Sequence, residues 1–238
     1  GFGQTGPMSA APGYDIIGQA MSGLMSVTGH PGGAPTRIGV LIGDTSSGAF
    51  GCAGLLAALY HKGKTGLGQH VDISMQDVLI SYYDLPTYTW EGRLLGLTGN
   101  RVPTIAPFDS YPTKDGRWVI IAAANNKLWQ GLFEIMGRPD LITDPRYANN
   151  PDRCNNYDEM NAEISKWTSQ HDLTDIVKMI QAKGQPVSPI MNIAEVLAMP
   201  HVKERGMIVD IDDPVAGRVP TANIPIKFSR TPAMIQGP

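Results

Sequence analysis

The first hundred residues alternate between apolar patterns typical of helices and of strands. Residues 14–28 place apolar side chains mostly at helical spacing, which predicts an amphipathic helix. The pattern then predicts, in order, a strand at 37–42, a helix at 47–60, a strand at 70–75 and a helix at 76–91. Pro86 is expected to interrupt the last of these helices. Strand, helix, strand, helix predicts a parallel α/β arrangement.

The pattern changes after Gly92. Residues 92–112 lose regular periodicity, as expected of a crossing between domains. Beyond them the sequence predicts a turn at Asp115 and Gly116 before a strand, helices at 126–137, 157–169, 172–184 and 193–206, a strand within 185–192, and two short strands within 207–228.

Composition and charge narrow the function classes. The 238 residues suffice for one large domain or two small ones, and 42% of them are hydrophobic. A formal net charge of −3 provides no basic face, which argues against nucleic acid or an anionic membrane as a partner. No apolar run is long enough for a transmembrane helix. The two cysteines cannot build a disulfide framework or a metal quartet, and a reducing compartment fits them best.

Sequence motifs exclude several chemistries. "GFGQTG" at 1–6 matches the dinucleotide glycine pattern, but Pro7 follows it and no long helix opens there. "HKGKTG" at 61–66 lacks a phosphate loop's first glycine, because Ala58 stands at that position. The five histidines show no paired metal-ligand spacing, so no metal site is expected. No G-x-S-x-G elbow supports serine hydrolase chemistry.

Asp44, in "IGVLIGDTSSG", has two possible roles. Asp, Thr and Ser are preferred helix caps, so Asp44 or a neighbouring hydroxyl could cap the helix 47–60. Asp44 also directly follows a predicted strand, and in a parallel sheet the carboxyl ends of strands are where catalytic residues stand. The two roles are compatible, and the residues alone do not decide between them.

The sequence as a whole resembles a known family. The blocks "GFGQTGP", "PGYDIIGQAMSGLMSVTG", "PTRIGVLIGD" and "GLLAALYHKGKTGLGQHVDISMQD" closely resemble those of class III CoA-transferases. That family includes formyl-CoA transferase, carnitine CoA-transferase and α-methylacyl-CoA racemase. The resemblance continues through "GNRVPTIAPFDSYPTKDGRW", "LWQGLFEIMGRPDL" and "MPHVKERGMI" and covers essentially the whole chain.

The resemblance implies an architecture. Residues 1–100 would belong to a large Rossmann-like domain with a parallel sheet, 101–190 to a smaller α+β domain, and 191–238 to a segment returning toward the large domain. It also implies a homodimer whose chains interlock like two rings. Family members carry an N-terminal section with much of the CoA site and a C-terminal helix, and this chain starts without Met at Gly1. We therefore expect it to be a fragment.

The resemblance also assigns roles to residues. Asp44 matches the catalytic aspartate, which implies that it attacks an acyl-CoA to form an anhydride and then an aspartyl-CoA thioester. Tyr14, Asp15 and Gly43 are expected to line the substrate pocket, and Met75 to lie close to CoA. Coenzyme A would be a co-substrate, with no permanently bound cofactor. The family's mobile glycine-rich loop corresponds to residues 96–107, which hold only Gly96 and Gly99.

Two alternatives remain. The racemase branch uses a histidine directly before the Asp of a "G-H-D" segment, where this chain has Tyr14. A tyrosine hydroxyl is a poor proton carrier at neutral pH, so CoA transfer is favoured. The second alternative is a non-catalytic CoA-binding or interaction fragment. The sequence leaves open which carboxylic acids are exchanged, and a cytoplasmic location is expected, with the mitochondrial matrix as the alternative.

Overall fold

The computed structural model describes residues 1–83, 88–90, 92 and 94–235. They divide into two compact units. Unit 1 comprises Gly1–Ser110, Ala124–Asn126 and Thr143–Tyr157, and unit 2 comprises Tyr111–Ala123, Lys127–Ile142 and the residues from Asp158 onward. The domain boundaries expected near residues 100 and 190 stay a prediction.

Helices and short strands make up the described part of the chain, which confirms the mixed α/β class. The helices are α1 (Asp15–Met21), α2 (Leu24–Val27), α3 (Ile42–Thr65), α4 (Met75–Ile80), α5 (Asn126–Ile135), α6 (Pro139–Ile142), α7 (Asn150–Asn155), α8 (Tyr157–Thr168), α9 (Leu173–Gln181), α10 (Ile193–Ala198) and α11 (Pro200–Glu204). A 3₁₀ turn covers Pro145–Tyr147. The strands are β1 (Phe108–Pro112), β2 (Trp118–Ala122), β3 (Val187–Pro189), β4 (Ile208–Asp213) and β5 (Gly217–Ala222).

The helices of unit 1 differ from the prediction at their ends. The single helix expected over 14–28 is divided into α1 and α2, because Gly23 has a left-handed φ of 87° that a continuous right-handed helix does not allow. Helix α3 begins five residues before the predicted 47–60 and continues to Gly66, whose φ of 76° ends it. Residues 88–90 are helical. The interruption expected at Pro86 falls outside the described residues.

Neither predicted strand of unit 1 forms. Residues 37–41 and 70–74 have no strand partner among the described residues, so the parallel sheet expected around them stays a prediction. A side chain binds one backbone group of the first segment instead, and the second segment binds another part of the chain through the Asp72 side chain. The Ile38 N–H donates to Gln19 Oε1 at 2.9 Å, and Asp72 Oδ2 accepts the Gln4 N–H at 2.9 Å. The apolar spacing of these segments is compatible with an extended chain. A strand forms only where its backbone pairs by hydrogen bonds with a neighbouring strand.

Unit 2 follows the prediction more closely. Its three-stranded sheet has the order β1-β2-β3, and β2 pairs antiparallel with β3, with Ile120 opposite Ser188. Helix α9 packs against β2 and β3. Gly116 and Gly137 have positive φ values of 75° and 70° at the predicted turn and helix end. The predicted pair of short strands is the antiparallel hairpin β4-β5. The helix expected over 193–206 is divided, because Pro200 starts α11.

Met75 fills the space between α1 and α3. Its side chain is 8% exposed. A Cβ added to Gly18 of α1 would lie 2.8 Å from the Met75 sulfur, and one added to Gly43 of α3 would lie 2.9 Å from Met75 Cγ. These two glycines therefore allow a methionine to pack where larger residues would overlap it. The first turn of α3 lies against α1 and α4 as a result.

Helix α7 binds the segment 104–106. Arg153 is fully buried and donates from Nε to the Ala106 carbonyl oxygen at 2.8 Å and from Nη2 to Asn126 Oδ1 at 3.0 Å. Asn150 donates to the Thr104 carbonyl oxygen at 2.8 Å and accepts from the Ala106 N–H at 3.1 Å. Burial lowers the pKa of the Arg153 guanidinium. Part of the region that corresponds to the family's mobile loop is thus hydrogen-bonded to a helix.

Replacement of Gly43 by Ala tests the close packing at the start of α3. The new methyl group would lie 3.0 Å from Asp15 Oδ1 and 2.9 Å from Met75 Cγ, so we expect a loss of about 1–3 kcal/mol in the free energy of unfolding. Gly48→Ala in the same helix is the matched control, since a Cβ there meets nothing within 4 Å. It should gain about 0.5–1 kcal/mol from helix propensity. Urea unfolding measures both, and equal effects would contradict the packing.

Replacement of Arg153 by Met tests the attachment of the segment 104–106. The buried acceptor on Ala106 would lose its donor, as would the exposed Asn126 side chain, which should cost about 1–3 kcal/mol of unfolding free energy. Arg146→Met is the control, because that side chain is 48% exposed and pairs with Asp144. Its loss should cost less than about 1 kcal/mol. Chemical denaturation measures the free energy of unfolding of both variants. A larger loss of stability in the Arg146 variant would contradict the role of Arg153 in holding the segment 104–106.

Candidate active site

A buried carboxylate connects α1 to the beginning of α3. Asp15, in the first turn of α1, is 4% exposed. Its Oδ1 accepts the Gly43 N–H at 2.7 Å, and its Oδ2 accepts Gln19 Nε2 at 2.6 Å. Gly43 is the second residue of α3, so Asp15 supplies the hydrogen-bond acceptor that the free N–H groups of a helix's first turn require. The positive end of the helix dipole also stabilises negative charge on this carboxylate.

Gln19 extends this connection to the segment before α3. Its side chain is fully buried, and its Oε1 accepts the Ile38 N–H at 2.9 Å. The bonds to Ile38 and Gly43 therefore hold both ends of the segment 38–43 on α1. We call Asp15, Gln19 and the N–H groups of Ile38 and Gly43 the Asp15–Gln19 network.

Asp44 does not cap α3, so that interpretation of the sequence is wrong. The residue at the cap position is Leu41, whose side chain makes no capping hydrogen bond, and Asp44 is the third helical residue. The Thr45 hydroxyl donates to the Leu41 carbonyl oxygen at 2.8 Å and does not cap either. Capping of the Gly43 N–H comes from Asp15, a residue on another helix.

The Asp44 carboxylate is exposed and has no hydrogen-bond or ionic partner among the described residues. Its position at the start of a helix is as predicted, although no strand precedes it. Asp44 lines none of four cavities of about 180–260 Å³ in the described part of the chain. The cleft expected at Asp44 stays a prediction. A carboxylate without partners is chemically free to act as a nucleophile.

The remaining predicted site residues fall into an exposed and a buried group. Tyr14 precedes α1 and is 79% exposed, with extended backbone and no capping bond. Asp15, Gly43 and Met75 are buried. The hydrogen bond from Gly43 to Asp15 joins two of the five predicted site residues directly, and Met75 packs beside that bond. Tyr14 and Asp44 are the chain neighbours of the two bonded residues. The pocket and CoA roles expected for these residues remain predictions.

Sequence reasoning missed Gln19. The helical pattern of 14–28 was defined by its apolar residues, and Gln19 counted as a polar position. One signal was available, because Gln19 lies four residues after Asp15, a spacing that places two side chains on the same helix face. A glutamine four residues after an aspartate is too common on solvated faces to stand out.

Metal-ligating side chains, long apolar helices and thiols are the remaining chemical features that the described ranges could hold. There, no group of three or more His, Cys, Asp or Glu side chains lies close enough to hold a metal ion. None of the helices that the structure describes has the length and apolar character needed to cross a membrane. Cys52 is exposed and Cys154 is half-buried, and both are free thiols.

Known proteins resemble this chain along its whole length. The chain is 36% identical over 98% of its length to a succinyl-CoA–D-citramalate CoA-transferase of Chloroflexus aurantiacus, and covers 58% of that protein. It is 37% identical over 96% of its length to an acetyl-CoA:oxalate CoA-transferase of Acetobacter aceti, of which it also covers 58%. A succinate–glutarate CoA-transferase of Agrobacterium fabrum is 35% identical over all of the chain, which covers 60% of it.

A solved structure has a similar fold. A CAIB/BAIF family protein from Brucella suis matches with a TM-score of 0.84 and 33% identity, over 98% of this chain and 60% of that one. The chain therefore spans less than two thirds of the length of these relatives. The model of CoA-transferase family III matches residues 1–238. On these matches, which agree with the resemblance noted in its sequence blocks, the chain belongs to CoA-transferase family III.

Proposed function

We propose that the protein transfers coenzyme A between an acyl-CoA thioester and a free carboxylic acid, with Asp44 as the nucleophile. One observation carries this proposal. The Asp44 carboxylate lies exposed and without partners among the described residues in the first turn of α3, while the buried Asp15 binds the Gly43 N–H at the start of that helix. A carboxylate that is not needed for the fold is available for chemistry.

The reaction needs no metal or redox step. The Asp44 carboxylate attacks the acyl carbonyl carbon, the C–S bond breaks, and an acyl–aspartyl anhydride and CoA thiolate form. The thiolate then attacks the aspartyl carbonyl, which releases the first acid and leaves Asp44 as a CoA thioester. An acceptor carboxylate attacks that thioester, and the returning thiolate attacks the acceptor's carbonyl. A new acyl-CoA leaves and the Asp44 carboxylate is restored, so each bond broken is matched by one formed.

Each step places negative charge on a carbonyl oxygen, which hydrogen-bond donors stabilise. The Gly43 N–H is occupied by Asp15, so it is not the donor. The Asp44 N–H has no acceptor among the described residues and is the donor that this part of the chain offers. The exposed Tyr14 hydroxyl can orient a substrate carboxylate. Met75 supports the first turn of α3 by packing. Its side chain is buried, so a contact with CoA would require that side chain to become accessible.

Small carboxylic acids are the proposed partners. Relatives named for D-citramalate, oxalate and glutarate are all similar to this chain, which supports acyl-CoA donors and small dicarboxylate acceptors. The proposed transferase is favoured over a racemase because a tyrosine precedes Asp15 where the racemase branch has a histidine. Proton exchange at the α-carbon of a branched acyl-CoA in heavy water, without CoA transfer, would instead support the racemase.

We also propose a homodimer. Helix α3 exposes five large apolar side chains in its middle and later turns, namely Phe50, Leu55, Leu56, Leu59 and Tyr60. Exposed apolar surface of this extent is typical of a face covered by further protein. Light scattering of the full-length protein at micromolar concentration tests the proposal, and a monomer there would contradict it.

Replacement of Asp44 by Asn in the full-length protein tests the nucleophile. The amide cannot form an anhydride or a thioester, so transfer should fall by at least about a thousandfold while the melting temperature changes little. Asp77→Asn is the matched control, since Asp77 is also an exposed carboxylate in the first turn of a helix. It should keep nearly full activity. Initial rates with succinyl-CoA and a panel of acids measure both, and wild-type rates in the Asp44 variant would refute the mechanism.

A further inference from the structure

The buried amide of Gln19 lies between two elements that determine where Asp44 stands. We propose that Gln19 is a positioning residue for Asp44, which it orients through Asp15 and through the backbone of Ile38. The inference rests on the proposed function, because it takes Asp44 as the nucleophile.

The chemistry of the network requires an amide at this position. Gln19 Nε2 donates to Asp15 Oδ2 at 2.6 Å, while Gln19 Oε1 accepts the Ile38 N–H at 2.9 Å. An amide provides both a donor and an acceptor, an ionised carboxylate provides only acceptors, and an aliphatic side chain provides neither. Because Gln19 is fully buried, water cannot replace a lost bond without a change in packing.

The geometry connects this amide to the nucleophile. Asp15 uses one oxygen for Gln19 and the other for the Gly43 N–H, which lies directly before Asp44 in the chain. The Ile38 bond fixes the other end of the short segment that leads into α3. Loss of the Gln19 amide would free both Ile38 and one side of Asp15, so the first turn of α3 could shift. Displacements of about an ångström in a reacting group can cost about a hundredfold in rate.

Three variants of the full-length protein test the proposal. Gln19→Leu should lower kcat about 10- to 100-fold and leave KM for the acyl-CoA within about twofold, because the substrate contacts stay while the nucleophile is displaced. Gln185→Leu is the matched control: it removes a buried amide from unit 2, where Gln185 in its satisfied orientation bonds the backbone of Leu128 and Leu132. The control should lose stability and keep kcat within about twofold.

Gln19→Glu gives a readout that a merely structural role would not produce. The introduced carboxyl can accept from Ile38 at any pH, but it can donate to Asp15 only when protonated, and a buried carboxyl beside another carboxylate favours the protonated form. As the pH falls from about 8 to about 5.5, kcat of this variant relative to wild type should therefore recover. The ratio for Gln19→Leu should stay constant over the same range.

Hydrogen exchange separates this proposal from the proposed function. In Gln19→Leu, the amides of Ile38 and Gly43, which the network binds in wild type, should exchange at least about tenfold faster than in wild type, whether or not the protein transfers CoA. Unchanged exchange, an unchanged kcat in the folded variant, or an equal fall in kcat in the Gln185 control would each overturn the positioning role. If exchange rises while wild-type Asp44 proves dispensable, the proposed function fails and the positioning of this turn still stands.

Discussion

The hydrogen bond from the Gly43 N–H to Asp15 is the interaction on which the candidate site depends. It joins residues 28 positions apart in the chain, and at 2.7 Å it connects a buried carboxylate to the positive end of a 24-residue helix. A charge-assisted bond of this kind is stronger than one between neutral groups. It sets the position of the first turn of α3, and Asp44 occupies the next residue. Asp15 is thereby the structural carboxylate, which leaves Asp44 without a structural task.

The packing around that bond explains the choice of residues nearby. Gly18 and Gly43 lack side chains where Met75 passes between the helices, and Gln19 satisfies the remaining oxygen of Asp15. A buried carboxylate is costly unless its oxygens are hydrogen-bonded, and here the two donors are a backbone N–H and a side-chain amide. The site therefore combines a satisfied, buried polar network with an exposed group that has no partner in the described part of the chain. Preorganised support of this kind costs no rearrangement during a reaction.

Much of unit 2 could be predicted from the sequence, and less of unit 1. Local patterns determine helices α5 and α9 and the hairpin β4-β5. In each, the apolar periodicity and the glycine that ends or turns the element lie close together in the sequence. The strands expected at 37–42 and 70–75 depend on partners that a pattern does not contain. The candidate residues Asp44, Tyr14, Asp15, Gly43 and Met75 came from the family resemblance. Capping of α3 by Asp15 could not be predicted, because it joins distant positions. Gln19 was missed because a glutamine four residues after an aspartate is common on solvated helix faces.

Oxygen transfer into Asp44 tests the central claim most directly. If the acceptor acid carries oxygen-18 in both carboxylate positions, its attack on the aspartyl-CoA thioester and the later cleavage of the anhydride leave one labelled oxygen in the Asp44 carboxylate. After a single turnover of the full-length enzyme and proteolysis, mass spectrometry of the peptide that contains Asp44 should show one oxygen-18, located on that side chain by fragmentation. Transfer of CoA with no label at Asp44 would show that the acid is activated without this carboxylate and would contradict the account.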